Sequence, residues 1–399
     1  MNSRERVRAV LKHDLPDRVP NGLGACETAG MHMLAYERLQ KVLGCDQVAP
    51  RLDSFMFNAV FEEPVIQAMD GDIILLDSPR MNKNRIREKG EWKTQKLWGR
   101  TFQVPVDEVF TEVGDGSIRW DNRNKMCPKG GFYFSFTEAS DLNAECMIPD
   151  PEEYKPQTEL PEHILRSMEE QAKRLYEETE WSLCLGETIH DLQVAPGGLV
   201  NTMILMLEEP EIMHALLEKS VDAALANLKQ LDQAVGKYVD MVTIAHDFGD
   251  NRCVTIGEGL WREIYKPHYK RLFEGWHEIT NMKINLHSCG SIYAIMDDLI
   301  ECGVDVINPV QTSAANMSAE LLKSTFGDRV IFYGGAYDAQ LLKPAMSYDE
   351  VYHAVYNNIK IFGKGGNYIF AGVHNLPADM PEHHVKAMMD AYFDARCCE

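Results

Sequence analysis

Lys283-Ile284-Asn285-Leu286-His287-Ser288-Cys289-Gly290 is a short β-rich run that stops on polar residues and a glycine. A helical period follows over Ser291–Cys302, and a second β-rich run, Val304–Asn308, comes after it. The same unit repeats in both directions. Ser182–Glu187 and Val239–Ala245 are strand candidates upstream, and Arg329–Gly334 and Tyr368–Val373 downstream. Helical periods over Glu209–Val235, Gly259–Thr280, Ser318–Phe326, Tyr348–Phe362 and Pro381–Ala395 fill the remaining gaps. Two further strand candidates, Arg18–Leu23 and Asp72–Leu76, lie near the start with helical stretches Ser3–Lys12 and Pro64–Met69 around them. Alternating β and α elements predict a parallel sheet covered by helices, and eight such units close as a (β/α)8, or TIM, barrel. An open doubly wound sheet is the alternative, but the chain has no glycine-rich strand-to-helix turn of the dinucleotide-binding kind.

Between about Arg85 and Pro156 the helical period vanishes. Trp92–Pro105 and Ser117–Asp121 alternate polar and apolar residues around Gly and Asp turns, which predicts an antiparallel β insertion. Pro149, Pro151, Pro156 and Pro161 then mark a connector before the barrel helices resume. The expected organisation is one barrel domain over residues 1–399 with this β-rich excursion at about 85–156.

The 399 residues are 45% hydrophobic and 25% charged, an ordinary globular composition. A net charge of -21, from 40 Lys+Arg against 61 Asp+Glu, repels phosphate backbones and anionic membranes, so neither nucleic acid nor a membrane is an expected partner. Charges throughout MNSRERVRAVLKHDLPDR leave no signal-peptide core, and no long apolar run follows, so the expected location is the cytoplasm. Ten cysteines without a framework of short spacings predict reduced thiols.

Barrel chemistry gathers at the C-terminal ends of the strands. His287 and Cys289 lie two residues apart at such an end and can share a face, and imidazole with thiolate suits zinc. An arbitrary His-X-Cys is more often a hydrogen-bonded ring beside a buried thiol. His374, at the end of the last strand, supplies a third ligand, and three protein ligands with one open position is the arrangement of catalytic zinc. Asp77, Glu187 and Asp247 end other strands, where a carboxylate can donate a proton, orient a ligand or merely cap a turn. Asn308 and Tyr333, also at strand ends, are expected to line the substrate pocket, with Gly334 and Gly335 admitting a close backbone approach. His383-His384 is expected to be a solvated first turn of the last helix, and Cys397-Cys398 a frayed end.

In order along the chain stand Ser3-Arg4-Glu5-Arg6-Val7, Asp17-Arg18-Val19-Pro20, Asp70-Gly71-Asp72-Ile73, Ala195-Pro196-Gly197-Gly198, His246-Asp247, His287-Ser288-Cys289-Gly290, Val304-Asp305-Val306-Ile307-Asn308-Pro309 and Tyr333-Gly334-Gly335. With these the chain resembles the uroporphyrinogen decarboxylase superfamily, which includes zinc-dependent methyltransferases that work with corrinoid proteins. The resemblance implies a (β/α)8 barrel, and Asp77 matches the catalytic aspartate of the decarboxylases. Their arginine-containing segment after the first strand has no counterpart in Asn21-Gly22-Leu23-Gly24-Ala25-Cys26-Glu27-Thr28. His287 and Cys289 match the His-X-Cys that binds zinc in the methyltransferases. Their third ligand is a Cys in a Gly-Cys-Gly turn, and here the turn reads Gly372-Val373-His374-Asn375, so His374 takes that place.

These implications give a zinc-dependent methyltransferase as the expected function. It would move a methyl group between cobalamin, carried by a corrinoid-binding partner protein, and a small O-, N- or S-methyl compound or a pterin. Two thiolates make the thiol-methylating sites softer, so a site with His374 tilts toward oxygen, nitrogen or a pterin. Glu187 and Asp247 would be the catalytic acid/base groups, with Asp77, Asn308 and Tyr333 binding substrate. A partner is implied because the chain has no Asp-X-His-X-X-Gly run of the cobalamin-binding kind. A decarboxylase acting on a tetrapyrrole or another carboxylate and a metal-free binding barrel are the alternatives, as monomer or homodimer.

Overall fold

A computed structural model of the chain describes residues 1–52, 56–76, 92–136, 150–187, 189, 191–194 and 198–397. Its strands are β1 (Ile73–Leu76), β2 (Trp92–Leu97), β3 (Arg100–Pro105), β4 (Phe110–Glu112), β5 (Ile118–Trp120), β6 (Lys125–Cys127), β7 (Ser135–Phe136), β8 (Ser182–Leu185), β9 (Met241–Ala245), β10 (Lys283–His287), β11 (Val306–Asn308), β12 (Ile331–Tyr333) and β13 (Tyr368–Ile369). Seven of them form one parallel sheet in the order β1-β8-β9-β10-β11-β12-β13. Runs such as Ile-Ile-Leu-Leu in β1 and Ser-Leu-Cys-Leu in β8 suit strands buried on both faces.

The curled sheet is closed by the segment around Asn21, which bridges Gly71 on one side and Phe370 on the other, both in parallel. The Phe370 amide donates to the Pro20 carbonyl at 2.9 Å, and the Asp72 amide donates to the Asn21 carbonyl at 2.8 Å. The expected first strand, Arg18–Leu23, thus exists as a short seam between the second and the last strands of the barrel. Beneath it Asp72, fully buried, accepts from Arg6 and Arg18 at 2.6 Å each and from the Asn21 amide at 2.8 Å. The motifs Ser3–Val7, Asp17–Pro20 and Asp70–Ile73 therefore meet in one ion-pair network that ties the first helix, the seam and β1 together.

Helices Pro210–Val235, Lys266–Ile279, Ala319–Phe326, Tyr348–Gly363 and Glu382–Ala395 occupy the predicted crossovers. The period expected over Gly259–Thr280 is split between Glu258–Ile264 and Lys266–Ile279. Helices Met33–Val42 and Leu199–Glu208 are additional to the expected elements, and Glu162–Glu178 begins where Pro161 ends the connector. Among the described residues no helix is long and apolar enough to cross a membrane, and the described cysteines are all unpaired.

The insertion is antiparallel as expected. β2 and β3 form a hairpin whose two turn residues, Trp98 and Gly99, both have positive φ. β4–β7 form a second sheet. Its aromatic side chains dock on the barrel through Phe57, whose ring stacks on Phe134 at 4.8 Å and meets Trp98, Phe110 and Trp120 edge-on at 5.2–5.6 Å. The insertion's expected start near Arg85 lies outside the described residues.

Candidate metal centre at the barrel mouth

β10 delivers His287 to the mouth, and the next three residues are each held for a separate reason. The His246 amide donates to the His287 carbonyl at 2.9 Å, continuing the β9–β10 pairing past the strand end. Ser288 Oγ accepts the Phe248 amide at 3.0 Å, and the Cys289 amide donates to Asp247 Oδ1 at 2.8 Å. Gly290, at φ +83°, lies so near the neighbouring loop that a Cβ there would fall 2.4 Å from the Gly249 backbone. Its amide donates to Gln311 Oε1 at 2.8 Å.

Among the described residues, ligand atoms of His287, Cys289 and His374 lie within 4.8 Å of one another, the one such His, Cys or carboxylate group of three or more. Cys289 Sγ is 3.4 Å from His287 Nε2. That is the separation of two ligand atoms that share a tetrahedral zinc at ordinary bond lengths, so this pair fits the ion, and His374 would complete the set by a shift of its ring. The His287 and His374 rings meet edge to face at 5.4 Å.

Proton positions follow from the partners. Asn308 Nδ2 donates to the Tyr333 carbonyl at 3.1 Å, so its Oδ1 faces the other way and can only accept. His287 Nδ1, 2.9 Å from that oxygen, therefore carries the proton, and the Nε2 lone pair is left facing Cys289. His374 is less prepared. Its Nδ1 accepts the Asn375 amide at 2.7 Å, so while that contact stands Nε2 holds the ring proton. Ligation through either nitrogen requires the ring to give up this bond.

Burial holds both imidazoles neutral, with His287 lowered and His374 lowered to about 4. Burial, with the negative charge of Asp247 added to it, pushes the Cys289 thiol up to about 12. A thiolate at this place therefore calls for a cation beside it.

Asp247, 60% exposed, stands 3.7 Å from His287 Nε2, at the edge of the group and in reach of solvent. Glu187 is half-buried just past the end of β8, and Asp77 lies outside the described residues. Asn308 and Tyr333 are fully buried beneath the site: Asn308 supports His287, and the Tyr333 hydroxyl donates to the Gly22 carbonyl at 2.5 Å. Gly334 serves packing between strands, because a Cβ there would sit 2.8 Å from the Gly372 carbonyl oxygen. His383 is exposed as expected. His384 is buried, with Tyr337 at one ring nitrogen and the Met346 carbonyl at the other, both at 2.9 Å.

A cavity of about 230 Å³ opens against Cys289 and His374, walled by Pro309, Gln311, Tyr337, Asp338 and Leu376. Gln311 and Asp338 were not expected at the site. Their one signal is position, three and four residues beyond the predicted strand ends Asn308 and Gly334. Larger hollows, about 380 Å³ beside Arg51 and Trp92 and about 740 Å³ beside His13 and Lys323, lie away from this group. Glu27, buried beside Gly186 after the seam, also escaped the sequence reading.

The loop that carries His374 is fastened elsewhere. Asn375 Oδ1 accepts the Gly30 amide at 2.8 Å, the Leu376 amide donates to the Gly30 carbonyl at 3.0 Å, and the His32 amide donates to the Leu376 carbonyl at 2.9 Å. From the insertion, Tyr133 accepts the Ala378 amide at 3.0 Å, and the Phe132 carbonyl lies 3.1 Å from His32 Nε2.

The sequence model of the uroporphyrinogen decarboxylase (URO-D) family matches residues 195–394, half of the chain. The protein belongs to the URO-D family. Within that family, a uroporphyrinogen decarboxylase from Methylococcus capsulatus is 25% identical over 197 residues, 47% of this chain and 50% of the relative. The match thus spans about half the length of that curated relative. This URO-D family chain also shares its fold with a solved methyltransferase from Methanosarcina mazei, with a TM-score of 0.57 and 14% identity over 99% of both chains.

Proposed function

We propose that this URO-D family enzyme is a zinc-dependent methyltransferase that exchanges a methyl group between a corrinoid carried by a partner protein and a small O-, N- or S-methyl compound or a pterin. The observation that carries this reading is the His287-Cys289-His374 group, three zinc-type donors at one barrel mouth beside a small cavity. Zinc held by these three residues would supply Lewis acidity toward the heteroatom that gives or takes the methyl group.

The chain's own residues do the rest. His287 presents its Nε2 lone pair because Asn308 occupies Nδ1. Cys289 would give up its thiol proton when a cation is held beside it, and Asp247, exposed and bonded to the Cys289 amide, would carry that proton to solvent. Asp247, with Glu187 as the other carboxylate of this rim, returns or takes the proton of the leaving or entering heteroatom. The cavity, about 230 Å³, is far smaller than a corrinoid, so it would take the small methyl compound and leave the corrinoid on its carrier.

Metal analysis tests the reading. About one zinc per chain is expected after expression with zinc, and less than about 0.3 sinks it. His374→Ala is expected to lose at least about tenfold in zinc affinity together with methyl transfer. Full zinc and full activity in that variant would remove His374 from the ligand set. Because the curated relative is a uroporphyrinogen decarboxylase, a second reading is decarboxylation. Release of carbon dioxide from uroporphyrinogen would establish it.

A further inference from the structure

Two buried polar side chains from separate parts of the barrel converge on one oxygen of a third. Asn308 Oδ1, on β11, receives His287 Nδ1–H from β10 at 2.9 Å and the Thr28 hydroxyl, from the segment that follows the seam, also at 2.9 Å. Asn308 is fully buried and Thr28 nearly so, and the Asn308 amide is spent on the Tyr333 carbonyl. A carboxamide oxygen has two lone pairs, and these two short bonds fill them, with the Cys26 thiol making only a longer contact, 4.0 Å from the same oxygen and 3.5 Å from the Thr28 hydroxyl. We infer that Thr28 is a positioning residue for the metal ligand His287, acting through Asn308: its hydroxyl holds the carboxamide so that the imidazole keeps its proton on Nδ1 and its lone pair toward Cys289. This inference rests on the metal-site reading above for its use, but the hydrogen-bond chain stands without the metal.

Without the hydroxyl, Asn308 Oδ1 keeps His287 and only the long thiol contact of Cys26 at 4.0 Å, and the carboxamide is held in this orientation by one fewer strong bond, with the Tyr333 carbonyl left to fix its other end. The acceptor that selects the His287 tautomer is then less firmly held. Groups that orient a ligating histidine are worth about 10–100-fold in metal affinity.

The experiment compares the native chain with Thr28→Val, which keeps the shape and removes the hydroxyl, and Thr28→Ser, which keeps the hydroxyl. Two readouts are taken: the zinc dissociation constant by chelator competition, and the nitrogen NMR shifts of the His287 ring in metal-free protein. Thr28→Val is expected to bind zinc about tenfold more weakly and to show a mixture of ring tautomers, while Thr28→Ser stays within about twofold of native on zinc and keeps Nδ1–H. A Thr28→Val chain with native affinity and a native ring spectrum overturns the inference, as does a Thr28→Ser chain as impaired as Thr28→Val. If the native chain takes up no zinc, the methyltransferase reading falls. The ring spectra then decide the role of Thr28 alone: a mixture in Thr28→Val supports it, and an unchanged spectrum refutes it.

Discussion

Gly290 shows how little slack the metal group has at the level of single residues. A methyl group there would meet backbone atoms of Gly249 and Asp250 at 2.4–2.5 Å, and backbone cannot swing aside as a side chain can. The positive φ adds strain for any other residue. Gly290→Ala is therefore expected to cost about 1–3 kcal/mol in urea denaturation and to lower zinc affinity by separating Cys289 from His287. Native affinity in that variant would show that the loop contact does not position the thiol. The convergence of His287, Cys289 and His374 was legible because His287 ends a strand and the other two stand in the short runs just past one, and strand ends of a barrel converge. The support of His287 by Asn308 and Thr28 was not legible, because it depends on which way a carboxamide turns between residues 280 positions apart in the chain. Asn308 had the right address and a different task from the one expected.

At the level of elements, the insertion is joined to the barrel by backbone pairing of Gln103 with the 50–52 segment, by rings and by one imidazole. His32 caps the helix Met33–Val42 through Nδ1, lies among Phe57, Trp98 and Tyr133, and is lowered to about 4 by burial. Its ordinary value is 6.5. Between pH 6.5 and 4 the unfolded chain binds a proton here that the folded chain refuses, so stability is full above 6.5 and falls as the pH drops toward 4. The slope from His32 alone approaches about 1.4 kcal/mol per pH unit in that window, and the other buried imidazoles add in the same sense. His32→Asn, which can still cap the helix, should flatten the pH dependence of urea stability by that share. An unchanged slope would assign the acid sensitivity to the other histidines. Helix Met33–Val42 escaped the sequence reading for a related reason. It buries Met33, Leu34, Ala35, Tyr36, Leu39 and Gln40, so no clean period survives, and its cap is a histidine. Leu199–Glu208 is apolar on nearly every side and also shows no period.

At the level of the whole molecule, the barrel is closed by its weakest member. Around Asn21 the seam makes only bridges to its neighbours, and Asp72 beneath it joins two arginines. Asp72→Ala would leave Arg6 without one of its partners and Arg18 without its carboxylate, and is expected to cost about 3–5 kcal/mol. Thermal denaturation checks this; a loss under about 1 kcal/mol would mean that the ion pairs do not hold the closure. The eight-unit architecture was legible from alternation alone, whereas the purpose of the separate N-terminal motifs became visible only when the chain brought them to a common point. The fastening of the last strand's loop has a wider consequence. His374 is mounted on Gly30 and Leu376, and these in turn rest on His32 and on Phe132 and Tyr133 of the insertion. Two of the three converging side chains, His287 and Cys289, are thus set by β10 and its pairing with β9 and β11, while the third takes its bearing from the insertion. Such a scaffold can be retuned for another substrate by reshaping the insertion, with no barrel strand rewritten.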